Sequence, residues 1–244
     1  MIRKVIFAGA LVTGVVGFMM GCGSSSSPTG PAATTDASIS APAGARVILS
    51  EGFGGDLSKW QPLYMINIGD NYPQMRITTD AFHTGTHSIT SDSNRSALVF
   101  NLPDRAEDSV VCAQFYFMTK AAGHINFTVE IGQNAGSSGG LGKAFGLGFD
   151  STNNVKSTYW DMFTGQNDTM LGAIQPNKWY KGLVEFNWNT STITYYLDDA
   201  VVRTVPFPTS DMMGIDRLLV FRGINGVDGP KQYYIDDIIL YKKK

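Results

Sequence analysis

The chain has 244 residues. Three observations predict an all-β protein, an antiparallel two-sheet β-sandwich (jelly roll). Apolar residues recur with period two through most of Ile48–Tyr241, the spacing that puts one face of a strand in a core and the other in solvent. Clusters of Gly, Asn, Asp and Ser break these runs at short intervals, as turns do. No stretch shows the spacing of an amphipathic helix beyond a single turn, so there are no crossovers to build a parallel sheet.

The N-terminal segment is not part of this pattern. Arg3 and Lys4 precede an apolar run, Val5–Met20, which ends at FMMGC and gives way to SSSSPTGPAATTDAS. A basic start, an apolar centre and a small residue before the cut predict a secretory signal over 1–21. A single membrane-spanning helix is the competing reading, but it needs roughly 18 apolar residues and no stop-transfer charges follow this run. The FMMGC stretch resembles a bacterial lipobox, which implies cleavage before Cys22 and diacylation of its thiol. Gly23 stands where the resemblance to enterobacterial lipoproteins would place a retention aspartate. Anchoring in the outer membrane or at the surface of a bacterial cell envelope is the expectation. Residues 22–45 are rich in Ser, Thr, Pro, Ala and Gly and predict a flexible tether. The remaining part, 46–244, has the length of one all-β domain.

Loss of Arg3 and Lys4 reduces 19 basic residues to 17 against 21 acidic ones, a net charge of −4. The only basic run, Lys242–Lys244, suits a solvated chain end, so nucleic-acid binding is excluded as a function class. With Cys22 acylated, Cys112 is the one remaining cysteine, which rules out an intrachain disulfide and a cysteine-based metal site. Its place in SVVCAQFYFM predicts a small buried apolar side chain.

The strands follow in order. HINFTVEIG puts Ile125, Phe127, Val129 and Ile131 on one face and Asn126, Thr128 and Glu130 on the other. GKAFGLGFD likewise separates Phe145, Leu147 and Phe149 from Ala144, Gly146, Gly148 and Asp150. SVVCAQFYFM, KSTYWDMF, KWYKGLVEFNWN, TITYYL, AVVRTVPF, IDRLLVFR and QYYIDDIILY supply the others. Asp198 and Asp199, between TITYYL and AVVRTVPF, suit a tight reversal rather than a catalytic pair.

The run NKWYKGLVEFNWNTSTITYYLDDAVVRTVPF resembles the strand pair of concanavalin A-like lectin/glucanase domains, the group that includes LamG modules and pentraxins. There a W-Y or W-H pair introduces a strand, and the hairpin closes on an aspartate turn. SEGFGGDLSKW, HTGTHSIT and YYIDDIIL are similar to other parts of bacterial extracellular jelly rolls of this kind. The resemblance covers roughly Ile48–Tyr241, and its motifs mark the fold more than a site. Hydrolases of the superfamily carry E-x-D-x-E or E-x-D-x-x-E on one strand, which would bring two carboxylates to one groove. That spacing is absent here: Glu130 and Glu185 each stand alone. The glutamine–histidine strand of related polysaccharide lyases is missing as well, since His124 has no glutamine in register.

A saccharide site is the function that the residues favour. The polar face of the first two strands joins Asn126, Thr128 and Glu130 to Gly146, Gly148 and Asp150, and the next strand adds either Trp160 or the pair Tyr159 and Asp161, according to register. Carboxylates and amides beside an aromatic ring suit a sugar, whose hydroxyls hydrogen-bond and whose C–H faces stack. The expected site residues are therefore Asn126, Glu130, Asp150, Trp160 and Asp161. The plainer alternative is a solvent-facing sheet whose glycines mark bulges. His83 and His87 flank a turn and read as solvated. Asp236 and Asp237 sit side by side in an apolar strand, so alternation expects one outward and one inward. Related jelly rolls often hold a structural Ca²⁺ near the chain ends, which would make Glu51 and Asp236 (or Asp237) candidate ligands. Bonding of one aspartate to backbone amides, or to Arg217 or Arg222, is the alternative, and a non-catalytic role is expected either way. The sequence thus leads to a polysaccharide-binding envelope lipoprotein without catalytic residues. An extracellular lyase or hydrolase with a divergent site, and a structural or protein-binding module, are the rivals.

Overall fold

A computed structural model describes residues 39–243 except 63, 66–69, 72–74, 92–95, 107–108, 121–126, 135–140, 150–153, 162–164, 208–213 and 223–232; at 64–65, 70–71, 127–128, 133–134, 141–143, 149, 159–161, 165–167 and 221–222 it describes the backbone alone. The chain divides into two units, Met1–Ala33 and Thr34–Lys244, and every described residue belongs to the second. Cys22 lies outside the described residues.

Two antiparallel sheets make up the fold, with no helix among the described residues. In chain order the strands are β1 (Arg46–Glu51), β2 (Tyr64–Met65), β3 (Asp70–Asn71), β4 (Arg76–Thr78), β5 (Ser88–Thr90), β6 (Ser96–Ala106), β7 (Val110–Thr119) and β8 (Phe127–Asn134). They continue with β9 (Leu141–Phe149), β10 (Asn154–Asp161), β11 (Gly165–Ala173), β12 (Tyr180–Asn187), β13 (Thr192–Leu197), β14 (Ala200–Pro206), β15 (Ile215–Arg222) and β16 (Tyr233–Lys243). One sheet runs β14-β13-β12-β7-β16-β5-β4, with β1 also paired to β16, and the other runs β11-β10-β9-β8-β15-β6. The short strands β2 and β3 pair only with each other.

The period-two pattern accounts for the core. Along β12 the burial alternates residue by residue, and Tyr180, Val184 and Phe186 enter the space between the sheets. Val129 and Ile131 of β8, Phe145 and Leu147 of β9, and Val155 of β10 meet them from the other sheet. Phe186 packs on Phe207 and Phe145, with ring centres 4.2 and 5.5 Å apart. Near the β14 edge a polar contact spans the two layers, where Arg203 Nη1 donates to Ser157 Oγ over 2.6 Å. Asp198 and Asp199 take left-handed backbone angles, φ 49° and 66°, in the turn between β13 and β14, as the sequence leads one to expect.

Strands β1 to β6 and β11 lie outside the runs that the sequence pattern marks as strands. Strand β11 is the edge of its sheet and reads GQNDTMLGA, with no apolar alternation to reveal it. An edge strand is held by backbone pairing to one neighbour and need not bury a face.

Cys112 is fully buried, and burial pushes its thiol up to about 12, so it packs as an apolar group rather than as a thiolate. It lies on the outward face of the β7–β16 sheet with Ile239 and Tyr241, and Ala41 and Ala45 of the N-terminal segment pack against this cluster.

Candidate functional site

The pairing registers of the β6 sheet set out its outward face as rows of residues. One row reads Val99, Leu219, Glu130, Gly146, Thr158 and Asp168 across β6, β15, β8, β9, β10 and β11. The row on one side reads Ala97, Phe221, Thr128, Gly148, Lys156 and Met170; the row on the other reads Asn101, Arg217, Gly132, Ala144, Trp160 and Gln166. Along β9 this face carries only Ala144, Gly146 and Gly148, so a line of small residues runs between the polar strands.

At Gly146 the absent side chain has a specific consequence. A Cβ there would sit 2.5 Å from Glu130 Cγ and 3.0 Å from Thr158 Cγ2. The space freed by the glycine is therefore taken up by Glu130 and Thr158, which lean over it from either side. Glu130 is 8% exposed although it points away from the core. Thr158 and Asp168, which follow in the row, form a tight polar group with Lys156 of the neighbouring row. Lys156 Nζ lies 2.8 Å from Asp168 Oδ2, and the Thr158 hydroxyl donates to Asp168 Oδ1 over 2.6 Å. Lys156 is only 1% exposed, and a lysine so buried needs a carboxylate partner to remain charged. At the far side of the face Asn101 Nδ2 donates to Gln61 Oε1 over 2.9 Å, and Gln61 is joined to β6 by a two-bond bridge to Val99.

Register decides between the two aromatic alternatives. Position 160 pairs with Ala144 and belongs to the face of Glu130 and Thr158, whereas 159 and 161 pair with Phe145 and Lys143, the alternate positions. The backbone thus groups Glu130 with Trp160 and separates Asp161 from them; the side chains at 159–161 lie outside the described residues. Asn126 and Asp150 also lie outside them. Sequence reasoning missed Lys156, Thr158 and Asp168. An available signal was Lys156 and Thr158 at i and i+2 in KSTYW, two polar side chains forced to one face.

The aspartate pair of β16 forms a second polar centre, and here the expectation of one residue inward and one outward is corrected. Asp236 stands opposite Tyr116 and Ile239 opposite Gln114, so two residues of β16 face one of β7, and Asp237 has φ 53°. This bulge returns Ile238 to the core and lets both carboxylates meet the same loop. Asp236 Oδ2 accepts the amides of His83 (2.7 Å) and Thr84 (3.2 Å), and Asp236 Oδ1 accepts the amide of Asp237 (2.8 Å). Asp237 Oδ1 accepts the Thr84 hydroxyl over 2.6 Å, and Asp237 Oδ2 lies 2.6 Å from His83 Nδ1. The His83 ring stacks on Tyr116, centres 3.6 Å apart, with Trp179 edge-on at 5.7 Å. His83 is therefore no solvated loop residue but the centre of a knot joining the 81–87 loop to β16. Burial and then the neighbouring Asp237 charge push Asp236 up to about 7, against the lowering pull of the three amides.

Glu51 does not share that centre, which corrects the proposed calcium pair. Register places Glu51 opposite Ile238, on the core side, where Oε1 accepts the Phe53 amide over 3.0 Å and Oε2 lies 3.4 Å from Lys59 Nζ. Asp236 is committed on the outward face. Among the described residues no group of three or more His, Cys, Asp or Glu is placed to hold a metal.

The chain matches no protein-family model and no curated protein. Its fold is found in solved structures. The conserved carbohydrate esterase vb_24B_21 from Shiga toxin-encoding bacteriophage phi24B is 15% identical at a TM-score of 0.55, over 82% of this chain and 100% of that one. The receptor binding domain of botulinum neurotoxin D is 14% identical at 0.54, over 81% of this chain and 49% of that one. The endo-beta-1,4-glucuronan lyase of the fungus Trichoderma reesei is 14% identical at 0.51, over 80% and 95%. At such identities the likeness is one of fold, and with the two antiparallel sheets it establishes the domain as a jelly-roll β-sandwich.

Proposed function

We propose that the chain is a lipoprotein of the bacterial cell envelope, held through an acylated Cys22 at the outer membrane or surface, whose concanavalin A-like sandwich binds polysaccharide without cleaving it. The observation that carries the binding reading is the central row of the β6 sheet, where Glu130 and Thr158 close over Gly146 beside the Lys156–Asp168 pair. A carboxylate held in place beside the small residues Ala144 and Gly148 of β9 suits a sugar ring, whose hydroxyls donate and whose flat face needs a shallow surface. Position 160, in the adjoining row, adds an aromatic residue.

Affinity electrophoresis against a panel of glycans tests this. Glu130→Ala and Trp160→Ala are each expected to lower retention by about tenfold, the scale of losing one charge-assisted hydrogen bond or one stacked ring. Retention unchanged in both contradicts the site. The catalytic rival draws on one fact, that Glu130 and Asp168 share a row. Asp168 is engaged by Lys156 and Thr158 as a structural acceptor, so no new reducing ends or unsaturated products are expected from any retained glycan. Membrane fractionation tests the anchor: Cys22→Ser is expected to move the protein to the soluble fraction, and its persistence with membranes contradicts acylation there.

A further inference from the structure

We infer that residues 39–45 form a releasable strap, docked on the outward face of β7 and β16, which lifts from the domain without unfolding it. The stretch APAGA (41–45) leads directly into β1. The Ala45 amide donates to the Pro42 carbonyl over 3.0 Å and Gly44 has φ 82°, the form of a type II turn, whose third residue takes a positive φ. Ala41 and Ala45, on either side of this turn, pack on Cys112, Ile239 and Tyr241. Those three stand on the solvent side of their sheet, because their neighbours Ala113, Ile238 and Leu240 fill the core. They are nevertheless 0, 0 and 2% exposed. Val110 and Leu183 also touch the cluster, but they belong to the same face of the same sheet and lie beside it. Among the described residues, the strap is the apolar layer above.

What holds the strap is slight. Two methyl groups supply its contact with the cluster, and the Ala45–Pro42 hydrogen bond is internal to it. Pro42, Ala43 and Gly44 are exposed. Strand β1, which follows, is by contrast paired with β16 from Arg46 to Glu51. A segment with few buried contacts opens at small cost and separately from the body of the fold. The strap also precedes every other described contact in the chain, so a pull from the N-terminal side loads it first. With the acylated Cys22 proposed above, it is the joint between anchor and sandwich that yields before any strand does.

In the full chain carrying Cys22→Ser, Cys112 is the sole cysteine, and its rate of alkylation by iodoacetamide in native buffer reports the opening. A buried thiol pushed up to about 12 reacts only once it is uncovered. Gly44→Val forces a β-branched residue to φ 82°, where its Cβ meets nothing within 4 Å, so it acts on the turn alone. Ala41→Asp sets a charge against the apolar cluster. Each is expected to speed alkylation by about tenfold or more with the urea midpoint kept. Ala43→Asp, at an exposed position of the same turn, is expected to leave the rate within about twofold. The strap is overturned if Gly44→Val and Ala41→Asp react no faster than the Cys22→Ser parent, or only as much faster as a fallen urea midpoint accounts for. The protein tested carries no anchor, so either result leaves acylation of Cys22 to the membrane fractionation above.

Discussion

Replacing Asp168 with Asn is expected to destabilise the domain by about 3 kcal/mol, as follows when one partner of a buried ion pair is removed. The cost arises at Lys156 rather than at Asp168. The lysine is 1% exposed, while the Asp168 side chain is about a quarter exposed at 26%, so the aspartate can find water and the ammonium cannot. Thr158 also loses the charged acceptor of its 2.6 Å bond. The partial exposure of Asp168 is the reason for choosing the lower end of the range of about 3–5 kcal/mol. The double variant Lys156→Met with Asp168→Asn removes the stranded charge while keeping a similar volume, and is expected to recover most of the loss. Chemical denaturation of the three chains checks this. A single variant within about 0.5 kcal/mol of the parent, the range of an ordinary surface change, would show that the pair does not hold the face together.

The knot at His83 predicts a stability that falls as pH rises toward neutrality. Asp236 is raised from 3.8 to about 7 by burial first and by Asp237 second. A carboxyl with a higher value in the folded state keeps its proton there through a window in which the unfolded chain has lost it. Its contribution is full below about 3.8 and lost above about 7, with a slope of at most about 1.4 kcal/mol per pH unit for one proton. The groups facing it are Asp237 on the same strand and His83 from the loop, with Tyr116 of β7 stacked on the imidazole. In Asp236→Asn the titration is absent. The melting temperature of that variant relative to the parent is therefore expected to climb between about pH 4 and pH 7 and to level off above, whatever constant offset the amide introduces. Two parallel curves would remove Asp236 as the titrating group.

How far the sequence reveals this molecule depends on how local each rule is. Alternation in VEFNW and TITYYL is a property of the strand itself, and Val184, Phe186, Ile193 and Tyr195 all enter the core it indicates. Turn chemistry is local too, and Asp198 and Asp199 form the turn expected of them. The aspartates of β16 show where locality ends. The partner that holds Asp236 is the amide of a residue 153 positions earlier, and the bulge that turns Asp237 to the same side breaks the alternation from which its direction would be read. The binding face divides in the same manner. The hydrophobic pattern separates Glu130 and Gly146 from the core. Which residue of the next strand joins them needs the register, and Asp168 sits on an edge strand with no apolar pattern to declare it.

The central claim is that one face of this sandwich, the outward side of the β6 sheet, holds a glycan. Backbone amide shifts followed during titration with a glycan that is retained by the protein test it most directly. The account predicts changes concentrated at Glu130, Gly146, Thr158 and Asp168, with Cys112, Tyr241 and the His83 loop unmoved. Changes gathered on the opposite sheet, around Tyr116, His83 and Trp179, would contradict it.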